Sequence, residues 1–176
     1  EPHQMVLYPL FFTSFMIDDV LDDAGRLPGT VIISSASAKT STGAAYLLSQ
    51  REGVHVVGLT SSRNVEFVQS LGCYHQVLAY DALHDLPPGP ATYVDVAGDS
   101  AVTRVVHTHY GDALTASVIV GGTHWDGPAP VADALPGPTP EFFFAPSQIA
   151  KRTREWGRDG LEAVSYTHLR AHETVL

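Results

Sequence analysis

The chain has 176 residues, 44% of them hydrophobic and 16% charged, which gives one domain a sizeable core and excludes a disordered chain. A net charge of −9, with Lys39 and Lys151 the only lysines and no basic block, argues against nucleic acid and anionic membrane as partners. The single cysteine, Cys73, excludes an internal disulfide and fits a reducing, cytoplasmic compartment; no apolar run approaches the roughly 18–20 residues that span a bilayer. No signal peptide is visible, and a chain that opens on Glu1 reads as a fragment of a longer protein.

In chain order, Met5 to Leu10 reads as an extended segment ended by Pro9, and Phe11 to Ala24 as a helix. Thr13 or Ser14 is placed to cap that helix, Phe15, Met16, Ile17, Val20 and Leu21 form its apolar face, and Asp18, Asp19, Asp22 and Asp23 read as a solvated face. After the loop Gly25–Gly29, the β-branched run Val31-Ile32-Ile33 predicts a buried strand. Small and polar residues from Ser34 to Thr40 lead into Gly43 to Leu48, whose apolar spacing is helical. Strand, small-residue turn and helix start make the first half of a βαβ unit. Its helix N-terminus offers unpaired N–H groups and the positive dipole end to an anion, with Ser37, Thr40, Ser41 and Thr42 all placed as caps. A cofactor pyrophosphate fits this turn. No G-x-G-x-x-G occurs in it, so a plain strand–helix turn stays open as the alternative.

Val54 to Leu59 predicts the second strand, Asn64 to Leu71 a helix stopped by Gly72, and Gln76 to Leu78 a short third strand. Tyr80 to Ala91 is proline- and glycine-rich and reads as irregular. Thr92 to Val96 is a fourth strand, Ser100 a cap for a helix to about Tyr110, and Leu114 to Val120 a fifth strand ended by Gly121-Gly122. Residues 127–140 read as irregular, Phe142 to Phe144 as a sixth strand, and Ser147 as the cap of a helix from Gln148 to Trp156. This rhythm predicts an α/β fold: a three-layer, Rossmann-type doubly wound parallel sheet of about six strands, in the order 3-2-1-4-5-6. Ligands then lie at the carboxyl ends of the strands, against the loops 34–42, 60–63, 96–100 and 121–126.

Two patterns that invite a metal are weak. His107-Thr108-His109 falls on a helix, where residues i and i+2 point apart, and His168 and His172 alone make no site. No metal is expected. Cys73 reads as a packed small residue, and Asp95 as a cap for the Gly98 turn.

The order of these elements, with VVGLTSSRN, YVDVAGDSAV and VGGTHW at the strand ends, resembles the cofactor domain of medium-chain dehydrogenases/reductases, in the zinc-independent, quinone-oxidoreductase-like branch. SSASAKTSTG, LFFTSFMIDD and EFFFAPSQIAKRTREWG resemble more closely an uncharacterised family of such proteins. The resemblance covers roughly residues 5–160 and implies an oxidoreductase whose nicotinamide cofactor supplies the chemistry. In that branch the turn usually reads G-A-S-G-G-V-G; here it is Ser35-Ala36-Ser37-Ala38-Lys39-Thr40-Ser41, with Ser35, Ala38 and Ser41 in place of glycines. Any left-handed position in it costs about 1 kcal/mol or more without glycine. Ser37, Thr40 and Ser41 offer hydroxyls and Lys39 a cation to phosphate.

The second strand ends in Leu59-Thr60-Ser61-Ser62-Arg63, with no carboxylate before Glu66. A carboxylate there accepts from the ribose of NAD and repels a 2′-phosphate, whereas hydroxyls and an arginine bind that phosphate, so NADP(H) is the expected cofactor. Ala97 and Gly98, with Gly121, Gly122 and Thr123, are placed to let the nicotinamide end lie against backbone. His124, beside Trp125, is the one candidate proton donor to a reduced carbonyl or enone; a loop histidine with no such role is the alternative.

In the related enzymes this domain lies between two stretches of a barrel-like substrate domain. That implies three parts here: residues 1–29 leading from a substrate domain that is missing, the dinucleotide-binding domain over 30–163, and a tail, 164–176, that resembles translated sequencing-adapter read-through. The partners expected are a small-molecule substrate and, from the apolar Phe142 to Phe144 edge, a second copy in a homodimer. The competing reading is a non-catalytic nucleotide-binding or structural protein that kept the fold and lost the glycine turn.

Overall fold

The computed structural model describes residues 2–120 and 135–173, with side chains from 11 to 120 and from 135 to 164. Six strands form one wholly parallel sheet: β1 (Gly29–Ile33), β2 (Val54–Thr60), β3 (Gln76–Ala79), β4 (Ala91–Asp95), β5 (Leu114–Ile119) and β6 (Glu141–Phe142). Their order is β3-β2-β1-β4-β5-β6, as the alternation of strands and helices predicts. Among the described residues five α-helices accompany them: α1 (Pro2–Asp23), α2 (Lys39–Ser49), α3 (Val65–Ser70), α4 (Ser100–Tyr110) and α5 (Ala145–Glu173).

Strand periodicity of two divides the core. Val31, Ile33 and Val94 face one way and pack with Ala44, Ala45 and Leu48 of α2 and Ile17 and Leu21 of α1. Ile32 and Tyr93 face the other way, against Val102, Val106 and Tyr110 of α4. A third cluster, Phe11, Phe15, Met16, Leu47 and Leu161, joins α1, α2 and α5 outside the sheet. Gly43 lets α1 lie directly on α2: a Cβ there would sit 2.6 Å from Ser14 Oγ. Ser14 is therefore no cap; it is buried within α1, where its hydroxyl donates to the Thr40 carbonyl at 2.9 Å.

The N-terminal stretch read as extended is helical through Pro9. Proline removes one helical hydrogen bond, but the packing of the rest of α1 on α2 and α5 outweighs that local preference. Of the four aspartates only Asp22 and Asp23 are exposed, as a solvated face requires. Asp18 and Asp19 are buried, at 4% and 8% exposure. Asp18 accepts two bonds of 2.8 Å from the Arg51 fork, and Asp19 accepts from Arg152 Nε at 2.8 Å and from Gln148 Nε2. Asp22 is paired with Arg51, and Asp23 with Lys151 and Arg152.

Other boundaries shift for local reasons. The helix after β4 is capped by Asp99, not Ser100, because the Asp99 carboxylate accepts from Ala101 N and Val102 N. The stretch after β3 begins with a 3₁₀ helix, Tyr80–Asp85. The sixth strand pairs only over Glu141 and Phe142. The last helix starts at Ala145 and continues to Glu173 past a break at Gly157 (φ 72°), so helical backbone covers most of the tail that showed no rhythm. Within it Leu169, Arg170, Ala171 and Glu173 favour helix by propensity alone. Cys73 is buried, and desolvation pushes its thiol up to about 11. Among the described residues no helix is long and apolar enough to cross a membrane.

Candidate functional site

β1 delivers the chain to the switch point, where its neighbours β2 and β4 diverge to the two sides. Ser34 N still bonds Val94 O of β4, and Ala36 N bonds Leu59 O of β2. Between them Ser35 adopts φ 52°, the left-handed region, and is the only non-glycine among the described residues to do so. It stands where the resembled fingerprint has its first glycine, so the turn keeps the glycine conformation without the glycine. Its amide donates to Tyr80 Oη at 2.9 Å. Burial raises the Tyr80 phenol above its ordinary value. The Ala36 carbonyl accepts from Tyr74 Oη at 2.9 Å and from Thr42 Oγ1 at 3.3 Å.

None of the four expected caps closes the helix. The N-cap is Ala38, with no side-chain bond to the helix. Ser41 and Thr42 turn their hydroxyls back onto the carbonyls of Ser34 and Ala36, and Ser37 Oγ accepts from Asn64 Nδ2 at 3.3 Å. Among the described residues the first N–H groups of α2, at Lys39, Thr40 and Ser41, thus have neither an intrahelical partner nor a cap. No acidic side chain lies in that first turn. Lys39 is exposed and makes no ion pair among the described residues.

The loop after β2 closes one side. Thr60 is buried, and Ser61 Oγ is buried with no hydrogen-bond partner among the described residues. Arg63, in the short 3₁₀ helix Ser62–Asn64, is exposed and makes no ion pair among the described residues. The Asn64–Ser37 bond ties this loop to the turn. Asp81, from the stretch after β3, reaches Ser62 Oγ at 3.1 Å, a carboxylate that the order of the sequence did not bring here. On the other side Ala97 and Gly98 are exposed at the end of β4, and Asp95 takes the Gly98 amide at 3.0 Å, as the cap reading has it.

The structure therefore brings Ser35, Ser37, Ala38, Lys39, Thr40 and Ser41 together with Ser61 and Arg63 on one side and Ala97 and Gly98 on the other. Gly121, Gly122, Thr123 and His124 lie outside the described residues. His107 is fully buried, held between Pro136 O and Ser117 Oγ, while His109 is exposed, and no group of three or more metal-ligating side chains exists among the described residues. Tyr74 and Tyr80 escaped the sequence reading. Their contacts with the turn span 38 and 45 residues, and no local pattern marks them.

Residues 1–173 match the model of a family described as protein of unknown function (DUF2855). The chain belongs to this family. No curated protein matches. Among solved structures the family member is similar to the yhdH oxidoreductase of Salmonella enterica in complex with NADP (21% identity, TM-score 0.55, 90% of this chain and 51% of that one). It is also similar to Bacillus subtilis yhfP with NAD bound (17%, 0.55, 81% and 47%) and to Escherichia coli K-12 YhdH with bound NADPH (24%, 0.47, 63% and 35%). At these identities the likeness is one of fold. The chain spans about half or less of the length of these proteins.

The strained turn makes its own prediction. Ser35→Gly removes the left-handed penalty and returns part of it as unfolded-chain entropy, for a net gain of about 0.5–1 kcal/mol. A rise in the urea midpoint checks it; a fall would mean that the serine hydroxyl stabilises the turn by more than its backbone costs.

Proposed function

We propose that this chain is the dinucleotide-binding part of an NADP(H)-dependent oxidoreductase that works without zinc and reduces a small carbonyl or activated alkene. The observation that carries the reading is the uncapped start of α2, whose first N–H groups, like the cations Lys39 and Arg63, have no partner among the described residues. The fit to a dinucleotide is good at three points. The α2 N–H groups and Lys39 suit a pyrophosphate. Arg63 and the orphaned Ser61 hydroxyl suit a 2′-phosphate. The exposed backbone of Ala97 and Gly98 suits the nicotinamide half. The cofactor, when bound, supplies the hydride; the chain's own residues bind and orient it. The solved proteins of like fold that carry NADP or NAD support the same reading.

Arg63→Ala tests it. NADPH affinity is expected to fall about tenfold to a hundredfold through loss of one charge-assisted fork, while NADH affinity changes less than about twofold. An unchanged NADPH affinity would remove the 2′-phosphate assignment.

One observation favours a second reading, a non-catalytic nucleotide-binding or structural protein: Ala38 puts a methyl group at the N-cap, where the resembled turn has glycine and a phosphate approaches closely. Three further parts of the proposal have separate tests. His124 as proton donor rests on its place after β5, and His124→Ala should lower turnover without changing NADPH affinity. A homodimer is supported by Phe142 and Phe144, 65% and 51% exposed at the edge strand, and is tested by sizing in solution. The adapter origin of 164–176 is tested by sequencing the gene at its locus.

A further inference from the structure

β2 and β3 leave the sheet side by side. Thr60 and Ala79 form the last rung of their parallel ladder, so Ser62 and Asp81, each two residues further on, emerge at equivalent positions on the carboxyl edge. Tyr80 reaches the Ser35 amide at 2.9 Å, and Asp81 next to it accepts from Ser62 Oγ at 3.1 Å. A hydroxyl has one proton to give, and that of Ser62 goes to this carboxylate rather than to an anion. Asp81 is exposed and makes no ion pair among the described residues; the same holds for Arg63, which follows Ser62 in the chain. The end of β2 by itself, Thr60 to Arg63, offers hydroxyls and a cation. The carboxylate that it lacks comes from the end of the next strand.

We infer that Asp81 is a specificity-determining residue that limits the preference of this site for NADP(H) over NAD(H). The inference deepens the dinucleotide reading and rests on it. A 2′-phosphate carries about two negative charges. A carboxylate at the same strand end repels them, while the Arg63 fork attracts them. A 2′-hydroxyl is neutral and donates a proton, so it meets no such repulsion. Arg63 adds hydrogen bonds to its charge and outweighs Asp81. The phosphorylated dinucleotide therefore still binds more tightly, by a smaller factor than the arginine alone would give. Asp81 also holds Ser62, and the two roles separate by chemistry: the bond needs an acceptor oxygen, whereas the repulsion needs the charge.

Asp81→Asn makes the separation, since the amide oxygen still accepts from Ser62 and only the charge is lost. Fluorescence titration of the chain with NADPH and with NADH reads the effect. In about 20 mM salt the variant is expected to bind NADPH about fivefold more tightly than wild type, and NADH within about twofold of it. In about 1 M salt, where the Debye length is about 3 Å, the NADPH gain should shrink below about twofold. Asp112 is the control for net charge: it is exposed in the 3₁₀ helix Gly111–Ala113, which precedes β5 at the opposite end of the sheet. Asp112→Asn should change neither affinity by more than about twofold. No NADPH gain in Asp81→Asn, an equal gain for NADH, a gain undiminished by salt, or an equal gain in Asp112→Asn overturns the inference and leaves the cofactor reading intact. Binding of neither dinucleotide by wild type or by either variant overturns the cofactor reading itself, and the inference with it.

Discussion

Replacing Arg152 by alanine is expected to destabilise the chain by about 3 kcal/mol, which for a domain of this size lowers Tm by roughly 6–12 °C. The side chains of Arg152 and Asp19 are 12% and 10% exposed, so the pair is largely out of water. Arg152 also reaches Asp23 and Glu155 and lies over the Trp156 ring at 4.7 Å. Without the guanidinium, Asp19 keeps, among the described residues, only the Gln148 amide and remains a buried charge with no counter-ion there. Removing one partner of a buried pair costs far more than the pair contributes by itself. Lys151 provides the contrast. Its side chain is 40% exposed on Asp23, and Lys151→Ala should cost about 0.5 kcal/mol, as surface pairs do. Urea unfolding of both variants decides the matter; equal small losses would mean that α5 is held on α1 by its apolar contacts alone.

Gly58→Val is expected to damage both the fold and the site. Gly58 lies inside β2, between Ile33 of β1 and Val77 of β3, directly under the turn. A Cβ at this position would be 2.9 Å from the Ala36 methyl and 2.7 Å from the Tyr74 ring. Those are the two residues whose mutual bond, Tyr74 Oη to Ala36 O, holds the turn down on the sheet. Overpacking of this kind costs about 2–3 kcal/mol, and a turn pushed outward misaligns the α2 amides. NADPH affinity should fall by at least about tenfold in the fraction that stays folded. Gly72→Ala is the useful control: its φ is +69° but nothing lies within 4 Å, so it should lose stability through strain and leave affinity unchanged. Affinity unchanged in Gly58→Val would show that the turn can shift without cost to binding.

The sheet was legible because its signals are local. Val31-Ile32-Ile33 and Thr92-Tyr93-Val94 are β-branched or aromatic runs, and the strand–helix rhythm then fixes the order. Asp95 as the cap of the Gly98 turn was legible for the same reason, since only three residues separate them. What escaped depends on partners far along the chain. Asp18 and Asp19 look like a solvated face until Arg51 and Arg152 arrive from 33 and 133 residues away. Ser41 and Thr42 look like caps until the carbonyls of Ser34 and Ala36 claim them first. Pro9 makes the stretch before it look extended, but the tertiary packing of α1 decides. In the site, the residue set at the turn was readable from composition, whereas the meeting of Asp81 with Ser62 is a property of two strands brought side by side.

The most direct measurement is a fluorescence titration of the chain with NADPH and then with NADH. The uncapped α2 N-terminus, Lys39 and Arg63 predict saturable binding of NADPH, at least about tenfold tighter than NADH. Binding of neither would mean that the serine–alanine turn no longer admits a pyrophosphate, and it would contradict the oxidoreductase account in favour of a structural role for the fold.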